Sequence, residues 1–578
     1  MVKAGGNPLF LEMMIRSSAD NQTEAVSGNL RSMVQARIDQ LEPIDRRAIQ
    51  AASVIGQRFD LNLVKNLIDE PDYQPKGLLE RSLVHSIGDH FLFAHALVQE
   101  GVYASVTRRN AKVMHLRAAD WFDDRDLILR AEHLSRAGDD RAASAYYQAA
   151  RAQSQQLRFE TALSLLERGL VHSEAPADRY NLNNLKGQLA LRTGGYKAAA
   201  DAYRAAAEDG TNDVDRCRAY LGLADSNRER PGDALEEASR SLDLVREMFE
   251  RLSSDTLKVD YFAIRSSIQI AKGDMIGSLE NARLGVELAE KIGDPRLLCR
   301  TLDRFAPAHY QIGAMLSAKK ICERLVKTAI EVKDKRAEIT GSVQLSICCH
   351  YANLFDEAIA TVAMPLEKAE RFGAGRAACI GHEYVTRTYL ARGQIDKASF
   401  HANKALELVR LGGMKSREAL ALVHLAEVSL LEGDLDTAFD RATSAHDITG
   451  GPLTAPWALA VMALARIAEP EGHKHLTQAR ALLGSRFFTS HNHFRVSLAE
   501  MEFGLRHEDW SGIDQGATNL EEFTKGEPLP WTNFHIKRGR AIAKWGRGEH
   551  DDAYAALLEE VTNVRRDLGM KIWLPGDE

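Results

Sequence analysis

The sequence has no run of about 18 apolar residues, so no segment predicts a membrane-spanning helix. Its beginning also lacks the basic-then-apolar order of a signal peptide. Only six cysteines occur in 578 residues, none of them in a Cys-x-x-Cys pair and all within helix-like stretches. We therefore expect buried thiols of a reducing compartment and not a disulfide framework. Together these absences predict a cytoplasmic protein.

An excess of positive charge is also absent. The chain carries 74 Lys and Arg against 81 Asp and Glu, a net charge of −7, which disfavours a nucleic-acid-binding surface. Proline is scarce at 15 residues, and strand-like alternation is rare after about residue 110, so the chain is predicted to be mainly α. Because one core cannot organise 578 residues, we expect several domains or a repeat array.

The strongest positive signal is an internal repeat of 40 residues. In each unit a Gly or Asn ends one helix, and a small residue five positions later opens the next. Five segments show it: AKGDMIGSLENARLG (271–285), QIGAMLSAKKICERL (311–325), YANLFDEAIATVAMP (351–365), ARGQIDKASFHANKA (391–405) and LEGDLDTAFDRATSA (431–445). The two marker sets are Gly273, Gly313, Asn353, Gly393 and Gly433, and Ser278, Ala318, Ala358, Ala398 and Ala438.

The pattern continues beyond these five units. Earlier small residues are Ala162, Ala199 and Ala238, a later one is Ala553, and two less regular units are expected around Ala479 and Ile513. Gly or Asn can take the left-handed conformation that ends a helix, and a small residue allows two helices to cross closely. A single helix pair cannot bury both its faces, so we expect about ten pairs to stack into a superhelix.

These segments resemble tetratricopeptide repeats. The resemblance rests on Gly-Asp-x-x-x-Ala from Gly433 to Ala438, on a second Ala seven residues later, and on the aromatic Tyr389 nine residues before Ala398. The period is 40 residues, whereas that family has 34, so the units look like the longer repeats of large bacterial regulators. The resemblance covers roughly residues 135–570 and implies a superhelix with a concave binding face.

The first 135 residues have a different pattern. Residues 29–68 are predicted to form two or three short helices, one of them starting at Pro43. An alternating patch from His90 to Phe93 follows a further helix, and another helix comes after it. Helices followed by a small hairpin predict a winged-helix domain.

A second resemblance rests on the order of GGNPLFLE, ARIDQL, AASVIGQRFD, FLFAHALVQEGVY and a helix with His115. This order resembles the stretch after the nucleotide-binding core of signal-transduction ATPases with numerous domains. It implies that Gly6, Asn7 and Pro8 are the Gly-x-Pro motif of the ATPase lid, with Pro8 near the nucleotide base. It also implies a lid remnant over 1–20, a winged helix over 21–135, a repeat superhelix over 136–570 and a tail over 571–578.

The sequence departs from that family in having no GxxxxGK[ST] phosphate-binding loop and no place for the acidic strand end that holds magnesium. We therefore expect that the chain begins at the lid, as the C-terminal part of such a regulator or a truncated relative. We predict no catalytic residue and no cofactor in this chain. ATP or ADP is expected only in a longer parent protein, where Gly6, Asn7 and Pro8 contact the base.

Three groups of residues are candidate metal ligands: Cys348-Cys349-His350, His473 with His475, and His491 with His493. Neighbouring helix residues point about 100° apart and second neighbours about 200° apart, so the side chains in each group diverge. A structural zinc site needs four converging ligands. The favoured interpretation is core cysteines and surface histidines, with no metal site.

The winged-helix segment offers two further candidates. His95 occupies the family position Phe-x-His-Ala and is predicted to tie the wing to the helix that follows. The pairs Arg46-Arg47 and Arg108-Arg109 could contact DNA, but the acidic charge balance disfavours this.

The predicted function is a non-catalytic interaction or sensor module of a signalling ATPase-type regulator. A protein, a peptide or a small inducer is expected to bind in the repeat superhelix and shift its packing. The alternative is a C-terminal fragment of an ATP-dependent enzyme or of an adenylate or guanylate cyclase-type protein, with its catalytic domains upstream. The genomic sequence before Met1 separates the two, and an oligomer remains open.

Overall fold

The computed structural model describes residues 37–156, 158–228, 233–249, 251–252, 254–371, 374–449, 454–485 and 489–577. The chain divides into two compact units, the first ending at Leu182 and the second beginning at Asn183. Within the described residues no helix is long and apolar enough to cross a membrane. The six cysteines are buried and free, as the sequence predicts.

The first unit contains helices and one small antiparallel sheet. Its elements are α1 (Pro43–Ile55), β1 (Arg58–Phe59), α2 (Leu61–Ile68), α3 (Lys76–Glu80), β2 (Val84–Ile87), β3 (His90–Phe93), α4 (Ala96–Ser105), α5 (Arg108–Trp121), α6 (Leu127–Ala137), α7 (Ala142–Gln155) and α8 (Phe159–Val171). Helix α9 (Pro176–Thr193) contains the boundary between the units.

The sheet has the strand order β1-β3-β2, with Arg58 opposite Leu92 and Val84 opposite Phe93. Phe59 and Phe93 bury their rings 5.5 Å apart against the helices, and both are almost fully buried. Helix α1 begins with Pro43 at its first position, and a hairpin is present at the alternating patch of residues 90–93, both as predicted.

The second unit is a run of helices alone within the described residues. They are α10 (Tyr196–Asp209), α11 (Asp213–Asn227), α12 (Asp233–Phe249), α13 (Asp255–Lys272), α14 (Met275–Ile292), α15 (Pro295–Gln311), α16 (Met315–Glu331), α17 (Lys335–Tyr351), α18 (Phe355–Arg371), α19 (Gly375–Ala391), α20 (Ile395–Gly412), α21 (Lys415–Glu432), α22 (Leu435–Thr449), α23 (Ala455–Ala465), α24 (Pro470–Ser485), α25 (Ser490–Arg506), α26 (Trp510–Thr524), α27 (Pro530–Gly546) and α28 (Asp552–Leu568).

The 40-residue period is present in the helix positions themselves. The odd-numbered helices α13, α15, α17, α19, α21 and α23 begin at 255, 295, 335, 375, 415 and 455. The turns within the pairs contain the predicted markers in the left-handed conformation, from φ 60° at Asn353 to φ 92° at Gly313. The array of helix pairs predicted from the repeat is therefore confirmed.

The small residues lie at helix crossings. Ser278, Ala318, Ala358, Ala398 and Ala438 all have no exposed surface, and neither do Ala479 and Ile513 in the less regular units. Ala553 is an exception to the prediction, because it is exposed. Helix α28 begins four residues after its glycine instead of two, so Ala553 lies in the first turn, away from the crossing.

Two kinds of helix form the second unit. The even-numbered helices, here called outer helices, bury one stripe each, as in α16 with Met315, Ala318, Cys322, Leu325 and Ala329. The odd-numbered helices, here called inner helices, are buried on several sides; in α19 every residue from Ala377 to Thr388 is buried. A helix buried all round must pack on more than its neighbours along the chain.

Candidate functional site

A cluster of polar and aromatic side chains lies where the inner helices meet. Six consecutive inner helices, α17 to α27, contribute to it, and most of its members are less than 4% exposed. We call this group the inner cluster: His350, Tyr351, Arg387, His424, Glu427, Trp457, His491, Arg495, Trp531 and His535. The pairs 491/495 and 531/535 are four residues apart, so each pair shares one face of its helix.

Arg387 is at the centre of this cluster and is 2% exposed. Its Nη1 lies 2.9 Å from Nδ1 and 3.0 Å from Nε2 of His491, and its Nε lies 3.5 Å from His424 Nε2. Its guanidinium carbon stands 4.9 Å from the centre of the Trp457 ring. Among the described residues no carboxylate forms an ion pair with Arg387, whereas Arg495 lies 3.3 Å from Glu427 Oε1. A buried guanidinium without a carboxylate is costly, so this arrangement requires an explanation.

The Trp457 ring contacts the guanidinium groups of both Arg387 and Arg495. The carbon of the Arg495 guanidinium is 5.2 Å from the centre of the Trp457 ring. The indole Nε1 of Trp457 donates to Glu427 Oε1 at 3.0 Å. Cation–π contact of this kind stabilises desolvated charges by about 2 kcal/mol. The ring therefore offsets part of the cost of burying Arg387.

Hydrogen bonds set the state of His491. Arg387 Nη1 lies 2.9 Å from His491 Nδ1 and 3.0 Å from Nε2, and the Tyr351 hydroxyl lies 3.1 Å from Nδ1. Because Arg387 can only donate, the His491 ring must present a lone pair to it. Burial, together with the positive charges of Arg387 and Arg495, lowers the pKa of His491. His350 and His535 have a lowered pKa for the same reasons, burial first and nearby arginines second. The imidazoles are therefore neutral at physiological pH.

The carboxylate of the cluster, that of Glu427, is charged, whereas the imidazoles are neutral. Burial by itself would raise the pKa of Glu427, but Arg495, the neighbouring His424 ring and the hydrogen bond from Trp457 hold that pKa below its ordinary value. Glu427 is therefore ionised. Its charge is directed to Arg495 and not to Arg387.

Several buried polar atoms of the inner cluster make no hydrogen bond in the part of the chain that the structure describes. They are His350 Nε2, His424 Nδ1, Glu427 Oε2, Arg495 Nε, Trp531 Nε1 and both ring nitrogens of His535. Native interiors leave few such groups unsatisfied. These atoms converge on the same interior, so the cluster has hydrogen-bonding capacity that the protein does not use.

The cluster is enclosed because the last helices pack back onto earlier ones. Ser490 Oγ donates to the Tyr310 carbonyl at 2.6 Å, and Glu527 Oε1 accepts from the amide of Leu316 at 2.6 Å. The amide of Lys571 donates to the carbonyl of Ala391 at 3.2 Å. These bonds join residues about 180 to 210 apart, so α25 to α28 close over α15 to α19 within the second unit.

The sequence-predicted site residues have different locations. Gly6, Asn7 and Pro8 lie outside the described residues. His350 and His491 are buried in the inner cluster, so their interpretation as surface histidines was wrong, while His473 is exposed as expected. His493 stacks on Phe523 with ring centres 4.0 Å apart. Among the described residues no group of three or more His, Cys, Asp or Glu side chains could hold a metal ion.

The candidates in the first unit have structural partners. His95 Nδ1 accepts from the Leu97 amide at 3.2 Å and caps α4, and its predicted contact with the wing stays a prediction. Arg46 donates to the carbonyls of Ile38 and Asp39, and Arg47 donates to Glu70 Oε1 at 2.8 Å. Arg108 and Arg109 lie exposed at the start of α5.

Sequence reasoning missed Arg387 and Trp457. One signal was available, because the 40-residue period places Arg387 and Glu427 at the position that Pro307 and Ile347 occupy in earlier repeats. A change from an apolar to a charged residue at an inner position indicates a specialised surface. No comparable signal marks Trp457.

No protein-family model matches the chain, and no curated protein matches it in sequence. Solved structures with a similar fold include a signal-transduction ATPase with numerous domains and a tetratricopeptide repeat sensor from Pyrococcus horikoshii. That match has 18% identity and a TM-score of 0.46, and covers 77% of this chain and 67% of that one.

Two further solved structures resemble the chain. A Rap protein complexed with competence and sporulation factor has 13% identity and a TM-score of 0.43 over 68% of this chain and 99% of that one. The Cut9–Hcn1 hetero-tetramer of the APC/C has 11% identity and a TM-score of 0.47 over 82% of this chain and 90% of that one. At these scores no property of these proteins is transferred to this chain.

Proposed function

We propose that this chain is a non-catalytic interaction or sensor module of a signalling ATPase-type regulator, and that its ligand binds to the inner cluster. In this proposal residues 1–20 are a lid remnant, 21–135 a winged helix and 136–570 a tetratricopeptide-like superhelix. The observation that carries it is the inner cluster itself. The crossings between helix pairs bury mainly small and apolar residues, whereas the inner cluster buries a guanidinium that has no carboxylate partner among the described residues, together with several unused donors and acceptors.

Such a cluster is expensive for a purely structural core, because apolar residues of the same volume are often more stable there. A binding surface explains the residue choice, since Trp, Tyr and Arg are the residues that supply most binding energy at recognition sites. Opening α25–α28 away from α15–α19 exposes the surface to a protein, a peptide or a small inducer. The ligand then stabilises the open arrangement by its difference in affinity between the two arrangements.

Hydrogen exchange tests this proposal. The protein is mixed separately with the small-molecule fraction and the macromolecular fraction of an extract from its own host. We expect one fraction to change exchange in α17, α19 and α25, and the fraction that does so separates a small inducer from a protein partner. Arg387→Met and Trp457→Ala should abolish the change. Arg283→Met removes an exposed guanidinium paired with Glu287 and is the matched control.

The proposal is wrong if neither fraction changes exchange in the inner helices, or if Arg387→Met responds like Arg283→Met. A separate measurement addresses the alternative of an ATP-dependent parent. The isolated chain should neither hydrolyse ATP nor bind it at millimolar concentration, because most nucleotide affinity comes from phosphates held by backbone amides and lysine. Fused behind an ATPase core, it should bind ATP more weakly after Pro8→Ala.

A further inference from the structure

An open cavity of about 450 Å³ lies between the outer helices α18 and α20. Glu367 and Glu370 of α18 form one wall, and Phe400 and His401 of α20 form the other. His382 reaches it from α19, and its side chain is 3% exposed. This cavity is formed by residues outside the inner cluster, and the proposed function does not use it.

A chain of hydrogen bonds runs from Glu370 through His382 to His401. Glu370 Oε1 lies 2.8 Å from His382 Nε2, so that nitrogen carries the hydrogen and donates it. His382 Nδ1 is then an acceptor, and the hydrogen in its 2.8 Å contact with His401 Nδ1 belongs to His401. In neutral His401 the remaining nitrogen, Nε2, therefore carries a lone pair. The described part of the chain provides no hydrogen bond to Nε2.

Both rings are neutral at physiological pH. Burial lowers the pKa of His382 more than Glu370 raises it. Burial, followed by the neighbouring His382, lowers the pKa of His401 to about 4. The ring of His401 also stacks on Tyr389, with centres 5.5 Å apart, which fixes its orientation. The carboxylate, two rings away, thus determines that Nε2 is the acceptor nitrogen of the cavity-lining residue His401.

The charge of the lining favours a cation. Glu367, Glu370 and Glu407 provide three carboxylates, and the one ammonium among the lining residues, Lys404, lies 2.8 Å from Glu407. Phe400 is 57% exposed although it is a large apolar side chain, and Leu366 completes an apolar wall. Carboxylates beside an exposed aromatic ring suit a guanidinium or an ammonium on an apolar stem.

We propose that this cavity binds an organic cation, a guanidinium or ammonium group on a short apolar stem. The charged group is held by Glu370 and Glu367 and donates to His401 Nε2, while the stem packs on Phe400 and Leu366. The same chemistry occurs in a free amine and in an Arg or Lys side chain of a protein segment. The proposal does not depend on the inner cluster.

Calorimetry with the full chain tests it. The probes are agmatine, as a free guanidine, and N-acetyl-arginine amide, as a peptide side chain, with butylurea as a neutral analogue of similar shape. We expect at least one cation to bind with a Kd on the order of 1 mM or tighter, and butylurea not to bind. Agmatine binding alone identifies a free amine, and binding of the arginine amide identifies a protein side chain.

Two variants examine the contacts separately. His401→Phe keeps the stacking on Tyr389 but removes the acceptor, and Glu370→Gln keeps the shape but removes the charge; each should weaken binding by about tenfold. Glu280→Gln changes an exposed carboxylate on the outer helix α14 and should leave binding unchanged. Melting curves show which variants are folded. The proposal is overturned if neither cation binds, if butylurea binds equally, or if a folded cavity variant binds like the wild type.

Discussion

Arg387 illustrates how a single residue can be kept at a cost to stability. Its guanidinium is buried between Trp457, His491 and His424 and forms no ion pair in the described chain. Removing an ion from water costs several kcal/mol, and neutral imidazoles and one aromatic ring offset this only in part. A residue with this profile is expected where function, and not packing, selects the side chain.

Two substitutions in the inner cluster should therefore have opposite effects. Arg387→Met fills similar space without a charge and should leave the free energy of unfolding unchanged or raise it by about 1–2 kcal/mol. Glu427→Gln leaves the largely buried Arg495 without its carboxylate and should lower the free energy of unfolding by about 3 kcal/mol. Urea unfolding measures both. A large loss of stability in Arg387→Met would show that the arginine is structural.

Ala398 and Ala553 occupy equivalent positions in the sequence repeat but different environments. Ala398 is fully buried against Leu390 and Val428, so Ala398→Trp should strain the crossing of α19, α20 and α21 and cost about 1–3 kcal/mol or more. Ala553→Trp places the same ring on the surface and should cost less than about 0.5 kcal/mol. Hydrogen exchange over residues 380–440 should increase only in the first variant, and unchanged protection there would contradict the crossing.

At the scale of elements, the outer and inner helices of the second unit differ in what covers them. Each outer helix buries one stripe, such as Ala398, Ala402, Ala405 and Val409 in α20, and leaves the opposite face in water. Each inner helix is covered by its own outer helix and by the pairs before and after it. Inner helices α15, α17 and α19 are also covered by the last helices of the chain, and this extra layer buries the inner cluster.

In the first unit, three helices are joined by a hydrogen-bonded pair of histidines. His115 Nε2 lies 2.9 Å from the Tyr103 hydroxyl, and His115 Nδ1 lies 2.9 Å from His133 Nδ1, so α4, α5 and α6 share one polar contact. Burial lowers the pKa of His115 to about 3 and that of His133 to about 4, with each effect increased by neighbouring positive groups. The folded protein thus holds both rings neutral.

This contact predicts a loss of stability in mild acid. Both folded pKa values lie below the ordinary 6.5, so between pH 6.5 and about 4 the unfolded chain binds protons that the folded chain does not. The free energy of unfolding should therefore decrease as the pH is lowered through this window. One such histidine should account for a decrease of about 2 kcal/mol at pH 5. Exchange in α5 and α6 should rise accordingly.

The double variant His115→Phe, His133→Phe removes both titrating groups and should flatten the pH dependence of exchange in α5 and α6. His473→Phe, which changes an exposed histidine, is the control and should keep the wild-type dependence. An equal acid response in the double variant would show that other groups control the opening of these helices.

At the scale of the second unit, its closure depends on contacts between distant repeats. Glu527, in the connection between α26 and α27, accepts from the amides of Leu316 and Ser317 at the start of α16. Phe523 packs on the turn at Gly313, where an added Cβ would approach its ring to 3.0 Å. A carboxylate at a helix start is stabilising, and here the cap comes from more than 200 residues away.

Removing this cap should open the closure. Glu527→Ala is expected to cost about 1–2 kcal/mol and to raise exchange both at the start of α16 and across α25 to α27, because both sides of the contact are released. Asp274→Ala removes a cap of the ordinary local kind, from the Gly277 amide, and should raise exchange only at the start of α14. Local exchange alone in Glu527→Ala would indicate that the closure does not depend on this contact.

The sequence by itself determined the repeat array. The left-handed turn and the small residue at the crossing are local features, and they recur in each repeat at the 40-residue period. Gly433 and Ala438 are therefore sufficient to place one helix pair. The hairpin before α4 was also readable, because alternation and a helix cap are set within a few residues. The prediction that Ala553 lies at a helix crossing was wrong, because α28 begins two residues later after its glycine than the other outer helices do. No local feature of the sequence indicates this difference.

Only the tertiary structure decided where the inner cluster lies. In a stack of repeats each unit contacts mainly its neighbours. Here, however, α25 to α28 pack onto α15 to α19, and this brings His491 to Tyr351, beside His350, although 140 positions separate Tyr351 from His491. The free energy of that contact is shared among many residues far apart in the chain, and no single segment encodes it. The period fixed each helix pair, and the accumulated rotation of the pairs brought the inner cluster and its closing helices into contact.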